Sequence, residues 1–222
     1  MVNKEQMTMP DRQEKPSERA YNAIRTAILS GVLAPGEHLR EERLTHLTQT
    51  SRTPIREALR QLVTDGLAAE HNRHRYVADF SDTEINVLFD IRARMEGYAA
   101  AMAARLISTE DLIALDALVS RMDAIDPRGG KPSVDMFDAL NTQFHEKIVQ
   151  STGSVQLARM VKPAMNAPAM LIKQHLLHQA VGILASNAQH REIVKALRAR
   201  SPEWAEAAMR AHILSTRPTP VK

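Results

Sequence analysis

The spacing of apolar residues predicts a chain built mostly from helices. In several segments they recur every three or four residues, which is the spacing along one face of an α-helix. The clearest segment is SRTPIREALRQL, at 51–62. Its apolar positions, extended by one residue, are Ile55, Ala58, Leu59, Leu62 and Val63. Long alternating runs of β-branched and aromatic residues, which are typical of strands, are absent, so we expect a mainly α fold.

The ends of this helix are marked by its sequence. Thr53 and Pro54 predict an N-cap followed by proline at the first helical position, with Ser51 as an alternative cap. Gly66 predicts the end of the helix. The polar face carries arginines four residues apart, at Arg52, Arg56 and Arg60. This face suits an anionic surface.

The neighbouring segments predict a winged helix-turn-helix. A first helix is expected from a Ser17 cap to the Ser30-Gly31 stop, and a short second helix near Glu41 to Thr48. Only four residues then precede the arginine-bearing helix, which is the spacing of a helix-turn-helix. The following segment, LAAEHNRHRYVADF, predicts a β-hairpin with His74 at its tip.

The rest of the chain predicts a bundle of six or seven helices. Helices are expected at 82–106, 109–123, 133–150, 154–181 and in two final segments that meet at Ser201-Pro202. The fourth is either kinked or split, because Pro163 and Pro168 interrupt it. We expect a flexible arm at 1–16, a winged helix-turn-helix domain at 17–80, a helical effector-binding and dimerisation domain at 81–216 and a tail at 217–222.

Composition narrows the classes of protein. The 222 residues include no cysteine, which excludes disulfides and a thiol nucleophile. No apolar run approaches the roughly 20 residues of a membrane span, and the start of the chain is polar, so we expect a cytoplasmic protein without a membrane partner. The net charge of +3 is small, so a site for a polyanion must be local.

Three histidines and one asparagine form a candidate metal site. Asn141 and His145 are four residues apart and share a helical face. His190 and His212 each lie 11 residues from Ser201. If the last two helices form a hairpin there, both imidazoles lie about 16 Å from the hinge, side by side. Surface or hydrogen-bonded core histidines are the alternative.

The N-terminal motifs resemble those of GntR-family bacterial transcription regulators. The resemblance rests on AIRTAILSGVLAPGEHLREERL and SRTPIREALRQLVTDGL. It implies binding to double-stranded operator DNA through Arg40, Ser51, Arg52, Thr53, Arg56, Arg73 and His74. Two positions depart from the family pattern. The turn has Thr48, Gln49 and Thr50 where Leu-Gly-Val is usual, and the wing has His74 where glycine is usual.

The C-terminal motifs resemble the FCD effector domain of FadR-type members of that family. They are DIRARMEGYAAAMAA, NTQFHEKIV, HREIVKALRA and AAMRAHI. The resemblance implies a divalent metal, Zn²⁺ or Ni²⁺, held by Asn141, His145, His190 and His212, with asparagine where aspartate is commoner. It also implies a small carboxylate effector, for which Arg92 is a candidate anchor. Alternatively, Arg92 pairs with Glu96 four residues later.

These features together predict a ligand-responsive transcriptional regulator that is not an enzyme and acts as a homodimer on a palindromic operator. A metal-dependent hydrolytic enzyme is one alternative, since a histidine-bound metal can activate water. Against the enzyme, the sequence offers no obvious general base, because Glu146 and Glu192 are expected on helix faces other than those of the histidines. A metal sensor, or a protein with a purely structural metal, is the other alternative.

Overall fold

The N-terminal part of the molecule is a winged helix-turn-helix. The computed structural model describes residues 15–176 and 180–217, with side chains at 15–165 and 182–217. The elements of this part are α1 (Pro16–Leu29), α2 (Glu41–Thr48), α3 (Arg52–Thr64), β1 (Ala68–His71) and β2 (His74–Val77). The two strands pair antiparallel, from Ala68 opposite Val77 to His71 opposite His74.

The C-terminal part consists, within the described ranges, of six helices. They are α4 (Asp82–Leu106), α5 (Thr109–Asp123), α6 (Gly130–Gln150), α7 (Val155–Leu176), α8 (Ala180–Arg198) and α9 (Pro202–Ser215). Helix α4 packs most extensively against α9 and also contacts α6, α7 and α8. The predicted fold class, a winged helix-turn-helix followed by a helical domain, is therefore confirmed.

Several predicted helix ends are wrong by a few residues. Helix α1 begins at Pro16 with Lys15 at its N-cap, since proline suits the first helical turn, so Ser17 is not the cap. Ser51 occupies the N-cap position of α3, and Pro54 lies inside its first turn. Helix α6 starts at Gly130, three residues earlier than expected.

Helix α7 continues through both of its prolines. A proline removes one backbone hydrogen bond and would favour a break in an isolated helix. Here α7 packs against both α4 and α6. The buried cluster at this contact contains Ala99, Val149, Val161 and Met165. Tertiary packing on both sides of Pro163 thus accounts for one unsplit helix.

Two apolar cores lie under these elements. The first joins α1, α2, α3 and the hairpin, and the second joins the helices around α4. The buried face of α4 runs through Ala100, Ala103 and Ala104 to Ile107, so Leu106 lies on the opposite side and is 59% exposed. Small side chains on α4 allow α9 to approach closely. At Gly97 a Cβ atom would lie 2.6 Å from Cγ of Arg210.

The left-handed backbone at Gln49 replaces a glycine turn. Gln49 caps the C-terminus of α2 with φ 52° and ψ 39°, at the position where the resembled family has glycine. Its side-chain amide donates to the carbonyl of His46 at 2.7 Å. The hydroxyls of Thr48 and Thr50 lie 2.7 Å apart across the turn. These side-chain hydrogen bonds hold the helix-turn-helix angle without glycine.

The end of α9 is fastened to α4. Arg217 donates from Nη1 to Oδ1 of Asn86 at 3.3 Å and forms an ion pair with Asp90. The first residue of the predicted tail is therefore anchored, whereas 218–222, like 1–14 of the predicted arm, lie outside the described residues. In the part of the chain that is described, no helix is both long and apolar enough to cross a membrane.

Candidate functional site

The N-terminal end of α3 presents the predicted DNA-contacting side chains to solvent. Ile55, Ala58 and Leu59 of α3 are buried in the N-terminal core, and this fixes which face turns outward. The outward positions include Arg52, Thr53 and Arg56, with Ser51 just before them. All seven residues predicted to contact DNA are exposed, namely Arg40, Ser51, Arg52, Thr53, Arg56, Arg73 and His74.

Arg56 is oriented by an acidic residue of the preceding helix. Its Nε lies 2.9 Å and 3.0 Å from the two carboxylate oxygens of Glu41, in the first turn of α2. The Arg56 side chain nevertheless keeps 58% of its surface exposed. Glu41 thus restricts the directions in which this guanidinium can point and connects α2 to α3 across the turn.

The wing tip is formed by Asn72 and Arg73, so the prediction that His74 lies there is wrong. Both tip residues have positive φ, 50° and 64°, as a two-residue turn between right-twisted strands requires. His74 is the first residue of β2. The centroids of its ring and of the His38 ring lie 5.0 Å apart in an edge-on contact. Arg40 Nε lies 3.4 Å from Nδ1 of His38. The base of the wing therefore adjoins the N-terminus of α2.

Three histidines from three different helices converge in the C-terminal core. Nε2 of His212 on α9 lies 3.2 Å from Nε2 of His145 on α6 and 3.2 Å from Nε2 of His190 on α8. Their exposed fractions are 2%, 1% and 0%. The structure thus brings together the three imidazoles that the helix spacing predicted.

Hydrogen-bonding groups outside the cluster fix the orientation of two rings. Nδ1 of His145 lies 2.5 Å from Oε2 of Glu96, and Nδ1 of His212 lies 3.0 Å from Oε1 of Gln189. Because Oε1 of Gln189 is an acceptor, Nδ1 of His212 carries the proton and its Nε2 presents a lone pair to the cluster. The carboxylate oxygen close to Nδ1 of His145 favours the same tautomer there. Two such lone pairs, on His145 and His212, would lie 3.2 Å apart and repel one another unless a cation lies between them. This arrangement suits a metal ion.

Burial favours the neutral form of His190 and His212. It lowers the pKa of His190 and of His212 well below the ordinary value, and the nearby positive charge of Arg92 lowers both further. For Glu96, burial raises the pKa, but the charge of Arg92 and contacts with His145 outweigh it and bring the pKa to about 2. Neutral imidazoles at His190 and His212 match the protonation state that metal ligation needs.

The position of Arg92 is compatible with both roles that the sequence leaves open, an effector anchor and a partner of Glu96. It forms a buried ion pair with Glu96 one turn later on α4. It also lines a cavity of about 240 Å³. Other residues around this cavity are Asn141, Thr142, His145, Lys162 and Met165. Glu96 therefore joins Arg92 on the cavity side to His145 on the cluster side.

The side chain of Asn141 has a buried oxygen that lacks a hydrogen-bond partner among the described residues. It lines the same cavity as His145, one helical turn away on α6. Its Oδ1 is buried and accepts no hydrogen bond from the described protein atoms. An orphaned buried oxygen one helical turn from His145 can complement the three imidazole nitrogens, and such a donor set fits Zn²⁺ or Ni²⁺. Glu146 also lines the cavity.

Several contributors to this site are not predicted by the sequence motifs. The spacing predicts Glu96 only as a partner of Arg92, although a glutamate within an alanine-rich apolar stripe is a signal of a buried polar contact. Gln189 and Lys162 carry no such signal. Their roles follow from how α8 packs against α9 and how α7 crosses the cavity.

The fold and the histidine cluster define a winged-helix DNA-binding protein with a second, helical domain that contains a candidate ligand cavity. Comparison with protein families agrees. The gntR family of bacterial regulatory proteins matches residues 16–76, and the FCD domain matches residues 87–215. The chain belongs to the GntR family, carries an FCD domain, and is a DNA-binding transcriptional regulator.

Individual relatives support this assignment. The HTH-type transcriptional repressor GlaR of Escherichia coli K12 is 30% identical, over 89% of this chain and 92% of its own length. The gluconate operon transcriptional repressor of Bacillus licheniformis is 27% identical over 71% of this chain and 68% of its own. The solved structure of E. coli McbR/YncC has the same fold, with a TM-score of 0.76 at 19% identity over 90% of this chain and 94% of that one.

Proposed function

We propose that this regulator binds a small carboxylate effector beside a divalent metal, and that effector binding changes its affinity for operator DNA. One observation carries the proposal. The three Nε2 atoms of His145, His190 and His212 converge next to a cavity that Arg92 and Asn141 also line. Such a cavity combines a cationic anchor with ligands for a metal.

His145, His190 and His212, with Asn141, would hold the metal. Three imidazoles favour Zn²⁺ or Ni²⁺, and an amide oxygen gives up the charge attraction that a carboxylate would add. When bound, the ion would supply a positively charged Lewis acid for a carboxylate oxygen. Glu96 and Gln189 would hold the rings of His145 and His212 in the orientation that ligation needs.

A small anionic effector matches the remaining cavity surface. Arg92 offers a guanidinium, which can pair with a carboxylate through two parallel hydrogen bonds. Thr142 and Asn141 add polar groups, while Val149, Ala158 and Met165 form an apolar wall. The volume of about 240 Å³ is below the roughly 300–1,000 Å³ of pockets that hold drug-sized ligands.

The proposed DNA contacts are Arg52, Thr53 and Arg56 at base edges, with Ser51, Arg40, Arg73 and His74 in support. Arginine at the start of a recognition helix can pair with guanine in the major groove. One recognition helix contacts too few bases to be selective, so we propose a homodimer on a palindromic operator.

The dimer contact is proposed on the outer faces of α4 and α9. Val87, Ile91 and Tyr98 of α4 are 50%, 43% and 57% exposed, and Trp204 and Leu214 of α9 are each 40% exposed. Apolar side chains on two adjacent helices suit a second copy of the chain. Ile91→Glu is expected to shift the protein to monomer in light scattering, and an unchanged mass would place the contact elsewhere.

The proposed response is a shift between DNA-competent and DNA-incompetent dimers. His190 and His212 lie on the last two helices, and Arg92 lies on α4, against which α9 packs. A ligand that bridges these groups would stabilise one arrangement of α8 and α9 relative to α4. This arrangement would set the spacing of the two recognition helices.

The test is an operator titration at fixed salt concentration. Full-length protein is stripped with a chelator, reloaded with Zn²⁺ or Ni²⁺, and titrated onto an operator fragment selected from random DNA, with and without small carboxylates. A change of about five- to hundredfold in operator affinity is expected with the effector and metal together. A change with metal alone would instead favour a metal sensor. No change under any condition would contradict the proposal.

A further inference from the structure

Lys162 of α7 lies between the effector cavity and the DNA-binding domain. It shares one helical face with Ala158 and Met165, and all three line the cavity. Its Nζ also lies 3.7 Å from Oδ2 of Asp65. Asp65 is the C-cap residue of α3, which carries the proposed DNA contacts. One side chain thus faces both functional sites.

Asp65 is held firmly in place, whereas Lys162 is not. The Asp65 side chain is only 4% exposed. The hydroxyl of Tyr21 donates to its Oδ2 at 2.5 Å, and the amide of Gln61 donates to its Oδ1 at 2.9 Å. The Lys162 side chain is 52% exposed on a flexible stem. Any rearrangement of this ion pair therefore moves the lysine.

The two domains touch beside this pair. At Gly66, a Cβ atom would lie 3.6 Å from the carbonyl oxygen of Pro163 and 4.0 Å from its Cβ. Helix α7 also contacts α1. Because Lys162 precedes Pro163 and Asp65 precedes Gly66, the ion pair and the backbone contact form one junction. A change at Lys162 therefore acts next to the end of α3.

Two cationic residues, Arg92 and Lys162, and two acidic residues, Asp138 and Glu146, line the cavity. An anionic group in it would bind at the cations, so the state of these two cations matters. The guanidinium of Arg92 is already paired with the buried carboxylate of Glu96. Lys162 has a longer contact, at 3.7 Å, and its charge is only partly compensated. An anionic group in the outer part of the cavity would gain a charge-assisted hydrogen bond from Nζ. It would draw the ammonium away from Asp65.

We propose that Lys162 binds a second anionic group of the effector, which is then a small dicarboxylate, and that this contact competes with Asp65 at the end of α3. The assignment rests on the proposed function, since the first carboxylate meets Arg92 and the metal ligands. By linkage, whatever weakens the Lys162–Asp65 pair strengthens dicarboxylate binding. A monocarboxylate has no second anionic group for Lys162, so its affinity should not depend on the Lys162–Asp65 pair.

Calorimetric titration of the Zn²⁺-loaded full-length protein tests the assignment. The monocarboxylate probes are acetate and lactate. The polycarboxylate probes are succinate and malate, with two carboxylates each, and citrate, with three. Lys162→Met is expected to weaken the tightest polycarboxylate by about five- to tenfold and to leave the monocarboxylates unchanged. Lys162→Arg should retain the preference. Lys131→Met, at an exposed position of α6, is the matched control.

Asp65→Asn tests the competition directly. It keeps the shape of the side chain and removes the charge that holds Lys162, so polycarboxylate binding should tighten by about three- to fivefold. In combination with Lys162→Met, it should have no further effect. Thermal unfolding shows whether Asp65→Asn folds, and if it does not, the Met and Arg variants of Lys162 decide the question.

The possible outcomes separate the two proposals. If no probe binds the metal-loaded wild-type protein, the proposed carboxylate effector is wrong, and the role of Lys162 fails with it. Should a polycarboxylate bind wild type and Lys162→Met equally well, the effector proposal stands and the assignment of Lys162 is overturned. Unchanged binding to a folded Asp65→Asn variant would overturn the competition with α3.

Discussion

The Nε2 atoms of His190 and His212 lie 3.2 Å apart, although the two residues are 22 positions apart in the chain. They meet because α8 and α9 pack against each other and α9 starts just after the connection, with Ser201 at its N-cap. Both rings are buried, and this lowers the pKa of each. Two neutral imidazoles that face each other in a core suit the metal site proposed above.

Replacement of His190 and His212 together by leucine should abolish metal binding. Leucine fills much of the same volume but offers no lone pair, so His145 alone would remain of the three imidazoles. Elemental analysis after gel filtration measures the metal retained, and circular dichroism checks the fold. His46→Leu, at an exposed position of α2, is the control and should retain the wild-type amount. Stoichiometric metal in the double variant would rule out the site.

Gln189→Leu should weaken metal binding without removing a ligand. Its Oε1 accepts from Nδ1 of His212 at 3.0 Å and thereby directs the Nε2 lone pair into the cluster. Loss of such an outer hydrogen bond typically lowers metal affinity by about tenfold or more. Competition with a chromophoric chelator measures the affinity for Zn²⁺. Gln143→Leu, exposed on α6, is the control, and equal affinities for the two variants would remove Gln189 from the site.

Arg52→Ala and Arg56→Ala should each weaken specific operator binding by about 1–3 kcal/mol, with a smaller effect on random DNA. Both arginines project from the exposed start of α3. Arg60→Ala, further along the helix, is the control and should change binding less, because Arg60 is expected to contact phosphate or solvent. Fluorescence anisotropy at constant salt measures both affinities. An unchanged ratio of specific to random binding would contradict base readout by these residues.

Arg73→Gly should stabilise the fold while weakening DNA binding. Arg73 has φ 64°, which is unfavourable for a residue with a side chain and free for glycine. The free energy of unfolding should rise by about 0.5–1 kcal/mol. This gain is less than the full relief of strain, because glycine also raises the conformational entropy of the unfolded chain. Removal of the wing cation should lower operator affinity in the anisotropy assay.

Arg75→Gly provides the comparison for the wing. Arg75 lies within β2, opposite Glu70, where glycine only adds entropy to the unfolded chain and removes a side-chain contact. We therefore expect a lower melting temperature for Arg75→Gly and a higher one for Arg73→Gly. If both variants melt earlier than wild type, the left-handed turn at Arg73 is not a source of strain.

The candidate site was partly predictable because helix geometry is regular. A rise of about 1.5 Å per residue places His190 and His212 at equal distances from a hinge at Ser201, and a four-residue spacing places Asn141 beside His145. The wing was less predictable. The segment HNRH contains no glycine to mark its turn, and the left-handed conformations fall on Asn72 and Arg73 instead.

The sequence by itself determined the class of fold and the identity of the converging histidines, because both depend on periodicity along single helices. Contacts between elements were decided only by the tertiary structure. Glu96 reaches His145 because α4 packs on α6, and Gln189 reaches His212 because α8 packs on α9. Lys162 faces Asp65 because α7 crosses from the cavity to the end of α3. No local pattern encodes these distances, since each depends on how two separate helices pack.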